Sequence, residues 1–126
     1  MALQTAIGRV RGLGSARAGT QHFKMQRLTA LGNLVLVLWF VFAAASLADS
    51  DYFAVRAWLS APLSASLMIL LVISTFYHAR LGVQVVIEDY VHHEALKIGA
   101  LALVQLLTFG LGTACVVAVL IVASGG

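Results

Sequence analysis

Apolar residues run along this chain in three long blocks, and the polar positions are confined to the gaps between them. Leu28 to Ala48 carries no charged side chain and is closed by Arg27 and Asp49. Ala57 to Ala79 is the second block, closed by Arg56 and Arg80, and Ile98 to Gly126 is the third, entered after Lys97. Each reaches the roughly 20 residues that a membrane-spanning helix needs. Single runs of this length do not close a barrel, and lipid offers the backbone no partner, so each block must be helical. The pattern predicts an all-α membrane protein with three transmembrane helices, at about 28–48, 61–88 and 95–122, preceded by a basic arm over 1–27.

Local signals refine these boundaries. The first helix is expected from Leu28 into Ala45, with Trp39 and Phe40 near its middle. Pro62 suits the first turn of the second helix, with Ser60 as the expected N-cap. Nothing breaks that helix before Tyr90, so it is expected to project past the hydrocarbon. The third is expected from about Glu94 to about Val122. Tyr52 and Trp58 fall in the first loop, where amphipathic rings favour the membrane interface. Gly110, Ala114 and Ala118 recur every four residues in the third helix, and Ser74, His78 and Gly82 do so in the second. Stripes of small residues let helix backbones approach closely in lipid. Three helices offer one another few partners, so some of these faces are expected to meet another membrane subunit.

Composition agrees with the pattern. The 126 residues are 61% apolar and 10% charged, with a mean hydropathy of +0.97. Soluble domains carry about 25% charged residues, so water is not this chain's main solvent, and nothing points to nucleic acid. Charge sets the orientation. The N-terminal arm carries Arg9, Arg11, Arg17, Lys24 and Arg27 and no acid, whereas the first loop has Asp49, Asp51 and Arg56. The positive-inside rule then puts the N-terminus in the cytoplasm and, after three crossings, the C-terminus outside, in the periplasm of a bacterial inner membrane. The acid-free arm also has the composition of a transit peptide for a mitochondrial inner-membrane protein, but a basic arm lying near anionic phospholipid is the reading preferred. A single cysteine, Cys115, forms no internal disulfide and is read as a packing residue.

Against this background one stretch is anomalous. "HARLGVQVVIEDYVHH", residues 78–93, holds three histidines, two acids, a glutamine, an arginine and a tyrosine. An ionisable residue inside a spanning segment is costly and is read as functional by default. For His78 the sharper reading is an axial haem ligand; the competing one is an imidazole bonded to a neighbouring helix. Ser74 and Gly82, one turn to either side, are short enough to admit a flat macrocycle. No second histidine lies within the predicted spans, so a six-coordinate haem takes its other ligand from a partner. Asp89, eleven residues on, is almost three whole turns away and faces the same way, about 16 Å along the axis. Tyr90 is displaced by about 100°. A tyrosine hydroxyl at the membrane edge donates well to a quinone carbonyl; the competing reading is an interfacial anchor beside a solvated acid. His92, His93 and Glu94 are read as interfacial or partner-facing, because adjacent helical histidines diverge by about 100° and chelate poorly.

The same residues resemble the signature of the small hydrophobic membrane-anchor subunit of succinate dehydrogenase (succinate:quinone oxidoreductase, respiratory complex II). That family shows a histidine, a glycine four residues on, and Asp-Tyr eleven and twelve residues on; here these are His78, Gly82, Asp89 and Tyr90. "GRVRGLGSARAGTQHFKMQRLTA" is similar to the family's entry into its first helix, in the form found in alphaproteobacteria. Length and three-helix plan agree, so the resemblance covers nearly the whole chain. It implies the second, D-type anchor, a cytochrome b-type small subunit packed against another three-helix membrane anchor. It further implies a flavoprotein partner carrying FAD, an iron–sulfur protein partner, haem b ligated by His78, and ubiquinone bound by Tyr90 with Asp89 beside it. Arg27 matches an arginine near the haem propionates and the quinone pocket. The tract before it, His-Phe-Lys-Met-Gln, departs from the aromatic residues that are frequent there.

Two rivals share parts of this pattern. A fumarate reductase anchor has the same architecture and runs the reaction in reverse. A structural or transport-type small membrane protein predicts neither haem nor a flavoprotein partner.

Overall fold

The computed structural model describes residue 6, the backbone of residues 16–126 and the side chains from residue 19 onward. Arg9 and Arg11, and the side chain of Arg17, lie outside the described residues. Over the described residues 16–126 four helices follow one another: α1 (Ala16–Ser46), α2 (Tyr52–Ser60), α3 (Pro62–Tyr90) and α4 (Glu94–Ala123). Among the described residues there is no strand. Among the described residues three stretches, Gly19–Ser46, Pro62–Tyr90 and Glu94–Ala123, are long and apolar enough to cross a membrane.

α1 begins well before the expected Leu28. An uncharged run measures the apolar stretch, not the helix, and Lys24 and Arg27 are carried on exposed positions where long stems reach out of an apolar layer. The less exposed positions of α1, from His22 through Met25, Thr29, Gly32 and Leu36 to Ala43, recur at the helical period and face α3. The helix therefore brings the end of the basic arm into register with its neighbour.

The first loop holds a helix of its own. Asp51 caps α2 by accepting from the Ala54 N–H at 2.8 Å. The break before α3 falls at Ala61, with φ −66° and ψ 132°, because the residue before a proline is driven into extended geometry. Ala61, not Ser60, thus occupies the N-cap of α3. Ser60 instead ends α2, its hydroxyl donating to the Arg56 carbonyl at 2.8 Å. The Trp58 ring stacks on Trp39 with centroids 5.7 Å apart and ties α2 to α1. Arg56 donates through Nη2 to the main-chain oxygens of Gly125 and Gly126, holding α2 to the end of α4.

α1 and α4 both pack on α3, and among the described residues they do not pack on each other. The three long helices therefore form an open row rather than a closed bundle. The interior is correspondingly thin: Leu81, Ile87 and Val119 are its buried apolar residues, while Phe42 and Phe109 are 74% and 76% exposed. Apolar surface on this scale requires lipid or a partner to cover it. Between α3 and α4 the close approach is at Gly112, where an added Cβ would lie 3.5 Å from the Phe76 ring. The stripe of Gly110, Ala114 and Ala118 faces outward instead, exposed throughout.

Candidate functional site

α3 is unbroken from Pro62 to Tyr90, so the register of its polar residues is set by the helix itself. Taking about 100° per residue, Ser74, His78, Gly82 and Asp89 share one face within about 40° of His78. Tyr90 lies about 120° round and about 18 Å along the axis from His78. Asp89 and Tyr90 are exposed, Tyr90 at 77%, at the end where α3 gives way to the 91–93 link.

His78 meets α1 at Thr29. Nδ1 lies 3.1 Å from the Thr29 hydroxyl oxygen. That hydroxyl also lies 2.8 Å from the Met25 carbonyl and 3.0 Å from that of Gln26. A threonine hydroxyl has one proton to give. With that proton directed at a carbonyl one turn back, the oxygen is an acceptor for His78 in the tautomer that carries its proton on Nδ1. Nε2 then carries the free lone pair, and it makes no hydrogen bond among the described residues. The imidazole is bonded to a neighbouring helix and Nε2 is left without a hydrogen bond among the described residues; the two readings of His78 are compatible. Gly82, one turn on, has nothing within 4 Å of where a Cβ would stand. Ser74 is turned to α1, its hydroxyl 3.4 Å from the Thr29 carbonyl and beside Gly32. The open space next to His78 is therefore on the Gly82 side.

This donor set fits a haem iron, which His78 would hold through Nε2. A ligating histidine ordinarily has its second ring nitrogen held by a hydrogen bond, which fixes tautomer and ring orientation. A glycine one turn away removes the side chain that would meet a macrocycle.

His22 is the residue that the uncharged runs conceal. It lies seven positions before Thr29 on the α3-facing side of α1, about 10 Å further toward the Tyr90 end. Its Nε2 is buried and has no hydrogen-bond partner among the described residues. A second histidine thus does lie in a span, contrary to expectation. That axial offset is too large for both imidazoles to bind one iron, so the need for a partner's ligand stands. The helical recurrence of His22, Met25 and Thr29 is the signal that could have revealed it.

Arg27 is exposed, with its guanidinium 4.5 Å above the Phe23 ring. Its position on α1 is about 160° from Thr29, so it sits at the height of His78 without facing it. His93 acts structurally, because its Nδ1 accepts from the Leu96 N–H at 3.4 Å and caps α4. His92 is exposed. Cys115 is free and exposed.

Comparison with known proteins adds a family. The model for the succinate dehydrogenase/fumarate reductase transmembrane subunit matches residues 1–123. A succinate dehydrogenase hydrophobic membrane anchor subunit from Rickettsia bellii is 33% identical over 113 residues, covering 90% of each chain. A protein of the same name from Rickettsia conorii is 30% identical over 101 residues, covering 79% of this chain and 80% of its own.

Proposed function

The chain belongs to the succinate dehydrogenase/fumarate reductase transmembrane subunit family, and from that premise we propose that it is the second membrane anchor of a succinate:quinone oxidoreductase. In this reading it holds the flavoprotein and iron–sulfur subunits to a bacterial inner membrane, together with the other membrane anchor. It supplies one axial ligand of a haem b, through His78, and part of a ubiquinone-reducing site, through Tyr90 and Asp89. Bound haem b would serve as a one-electron carrier. The observation that carries the proposal is the state of His78: Nδ1 committed to Thr29, Nε2 unbonded, and Gly82 leaving room beside it.

The remaining roles belong to this chain's own side chains. Thr29 fixes the tautomer of His78. Tyr90 donates its hydroxyl proton to a quinone carbonyl oxygen at the exposed end of α3. Asp89, on the His78 face, orients neighbouring donors or takes up protons there. Arg27 offers a guanidinium not paired with an acid, suited to a propionate or to an oxygen at the quinone pocket. The open row of helices supports a partner as well, because a second anchor laid on the His78 face would both cover it and bring the other ligand.

Thr29→Val tests the carrying observation. It keeps the side chain's shape and removes the acceptor for His78 Nδ1–H. Outer partners of a ligating histidine are worth about 10–100-fold in metal affinity and raise ligand basicity. We expect Thr29→Val to release haem more readily and to raise its midpoint potential, because a less basic imidazole favours the ferric state less. Thr29→Ser should restore both. Wild-type potential and haem retention in Thr29→Val would remove the hydrogen bond from the account.

Orientation is tested separately. The basic residues of the arm favour a cytoplasmic N-terminus by the positive-inside rule. A reporter fused after Gly126 should read periplasmic, and one inserted within 92–97 should read cytoplasmic. A cytoplasmic signal after Gly126 would put Tyr90 on the wrong side of the membrane for a soluble iron–sulfur partner.

The fumarate reductase reading stays open as the same site run in reverse, its direction set by the potential of the quinone. A haem-free structural protein is the other alternative, and the free Nε2 of His78 speaks against it.

A further inference from the structure

A second site is built on the other side of α3, independent of the haem reading. An open cleft of about 560 Å³ runs between α3 and α4. Ile73, Tyr77 and Arg80 make its stripe on α3, at a spacing of four and three residues, and Gln84 continues the stripe four residues on, in the smaller cleft beyond. That stripe is centred about 140° from His78, so it belongs to a different surface from the Thr29 contact. Along the cleft the chemistry is graded. Ile73, Phe76, Phe109, Val116 and Val117, with Thr113 among them, line the part toward the Trp58 end, and Arg80, Gln105 and Thr108, with Leu106 between the last two, gather at the Tyr90 end. From Gln105 to Val117 the groove is about 18 Å long along α4. A smaller cleft of about 150 Å³ continues past Arg80, bounded by Gln84, Leu101, Val104 and Gln105.

Arg80 is the cation of both clefts, and neither is lined by an acid. It makes no hydrogen bond or ion pair among the described residues. The nearest acid along the stripe, Glu88, is two turns on and already accepts from the Gln84 amide at 2.9 Å. Arg80 stands about 27 Å from Pro62 along the helix axis, close to the roughly 30 Å of a bilayer's hydrocarbon. Its guanidinium is thus at the boundary of the leaflet on the Tyr90 side. An unpaired guanidinium at that depth, at the head of an apolar groove about as long as an acyl chain, has the charge and shape complement of one class of molecule.

We propose that Arg80 and the α3–α4 groove bind an anionic phospholipid, its phosphate on the guanidinium with Gln105 alongside, and one acyl chain lying over Phe76 and Phe109. Arginine is well suited to phosphate because its planar donors pair two oxygens at once. The smaller cleft receives the headgroup.

The test uses the intact complex, stripped of lipid and exposed to vesicles of equal phosphatidylglycerol and phosphatidylcholine, with bound lipid counted by mass spectrometry. Wild type should retain phosphatidylglycerol over phosphatidylcholine by roughly tenfold, the size of one charged hydrogen-bonded contact. Arg80→Gln should fall to the bulk ratio, and Arg80→Lys should keep part of the preference. Val116→Trp fills the groove without touching the charge and should lose the bound lipid. In every variant the haem spectrum and subunit ratio should be those of wild type, since His78 is on another face. Equal retention of the two lipids by wild type would overturn the proposal and leave Arg80 as a guanidinium extended to water. Unchanged phosphatidylglycerol in Arg80→Gln or in Val116→Trp would overturn it too. So would cross-linking of Phe109→Cys to the other membrane anchor, which would mean that protein fills the groove.

Discussion

Replacing Tyr90 with phenylalanine is expected to slow quinone reduction by roughly tenfold while succinate oxidation by an artificial dye acceptor stays near the wild-type rate. The substitution keeps the ring and removes one donor. A hydrogen bond between neutral groups contributes about 0.5–1.5 kcal/mol, and the upper part of that range is a factor of ten. Tyr90 is 77% exposed at the end of α3 and has no partner for its hydroxyl among the described residues. Removing the hydroxyl therefore breaks nothing inside this chain, so a defect in turnover reports on a bound molecule. Asp89→Asn is expected to behave in the same way through a lost proton acceptor. The dye assay separates the two ends of the enzyme, because it takes electrons before they reach the membrane. A Tyr90→Phe enzyme with wild-type quinone turnover and unchanged apparent KM would return Tyr90 to the role of an interfacial anchor.

What is legible in the sequence follows from which forces act locally. The three spans are readable because charge is expelled from hydrocarbon, and the uncharged runs mark that layer directly. The start of α3 is readable to within a residue or two, since Pro62 both permits a helix start and forbids helical geometry at Ala61. Ser60 misleads because a hydroxyl beside a proline resembles a cap, although its hydroxyl turns back to Arg56. α2 falls in a stretch that reads as loop, yet Asp51 as cap and Pro62 as stop bracket it. The start of α1 is hidden because Lys24 and Arg27 end the uncharged run while the helical stripe continues to His22.

The positions of the candidate site residues are legible in the sequence, and their contacts less so. The one-dimensional spacing of His78, Gly82, Asp89 and Tyr90 translates into positions on α3 because that helix is unbroken. The Thr29 hydroxyl opposite His78 is separated from it by 49 residues and depends on how α1 and α3 align. No local rule reports such a pairing. The same holds for Ser74, whose small size serves the approach of α1 at Gly32. The outward stripe of Gly110, Ala114 and Ala118 reads as a packing surface, and among the described residues nothing packs on it.

The most direct measurement is the optical difference spectrum, reduced minus oxidised, of the complex purified through this chain, compared between wild type and His78→Ala. An axial imidazole sets the spin state and the absorption bands of a b-type haem. Wild type should show a low-spin haem. His78→Ala should lose that signature, because no other histidine of α1, α3 or α4 stands where Nε2 of His78 does. Subunit ratio and dye-linked succinate oxidation, measured on the same sample, establish that the variant is assembled. A low-spin spectrum lost or converted to high spin in an assembled His78→Ala complex is the predicted result. An unchanged low-spin spectrum in that complex would contradict the assignment of His78, and with it the reading of the Thr29–His78 pair as a haem-ligand arrangement.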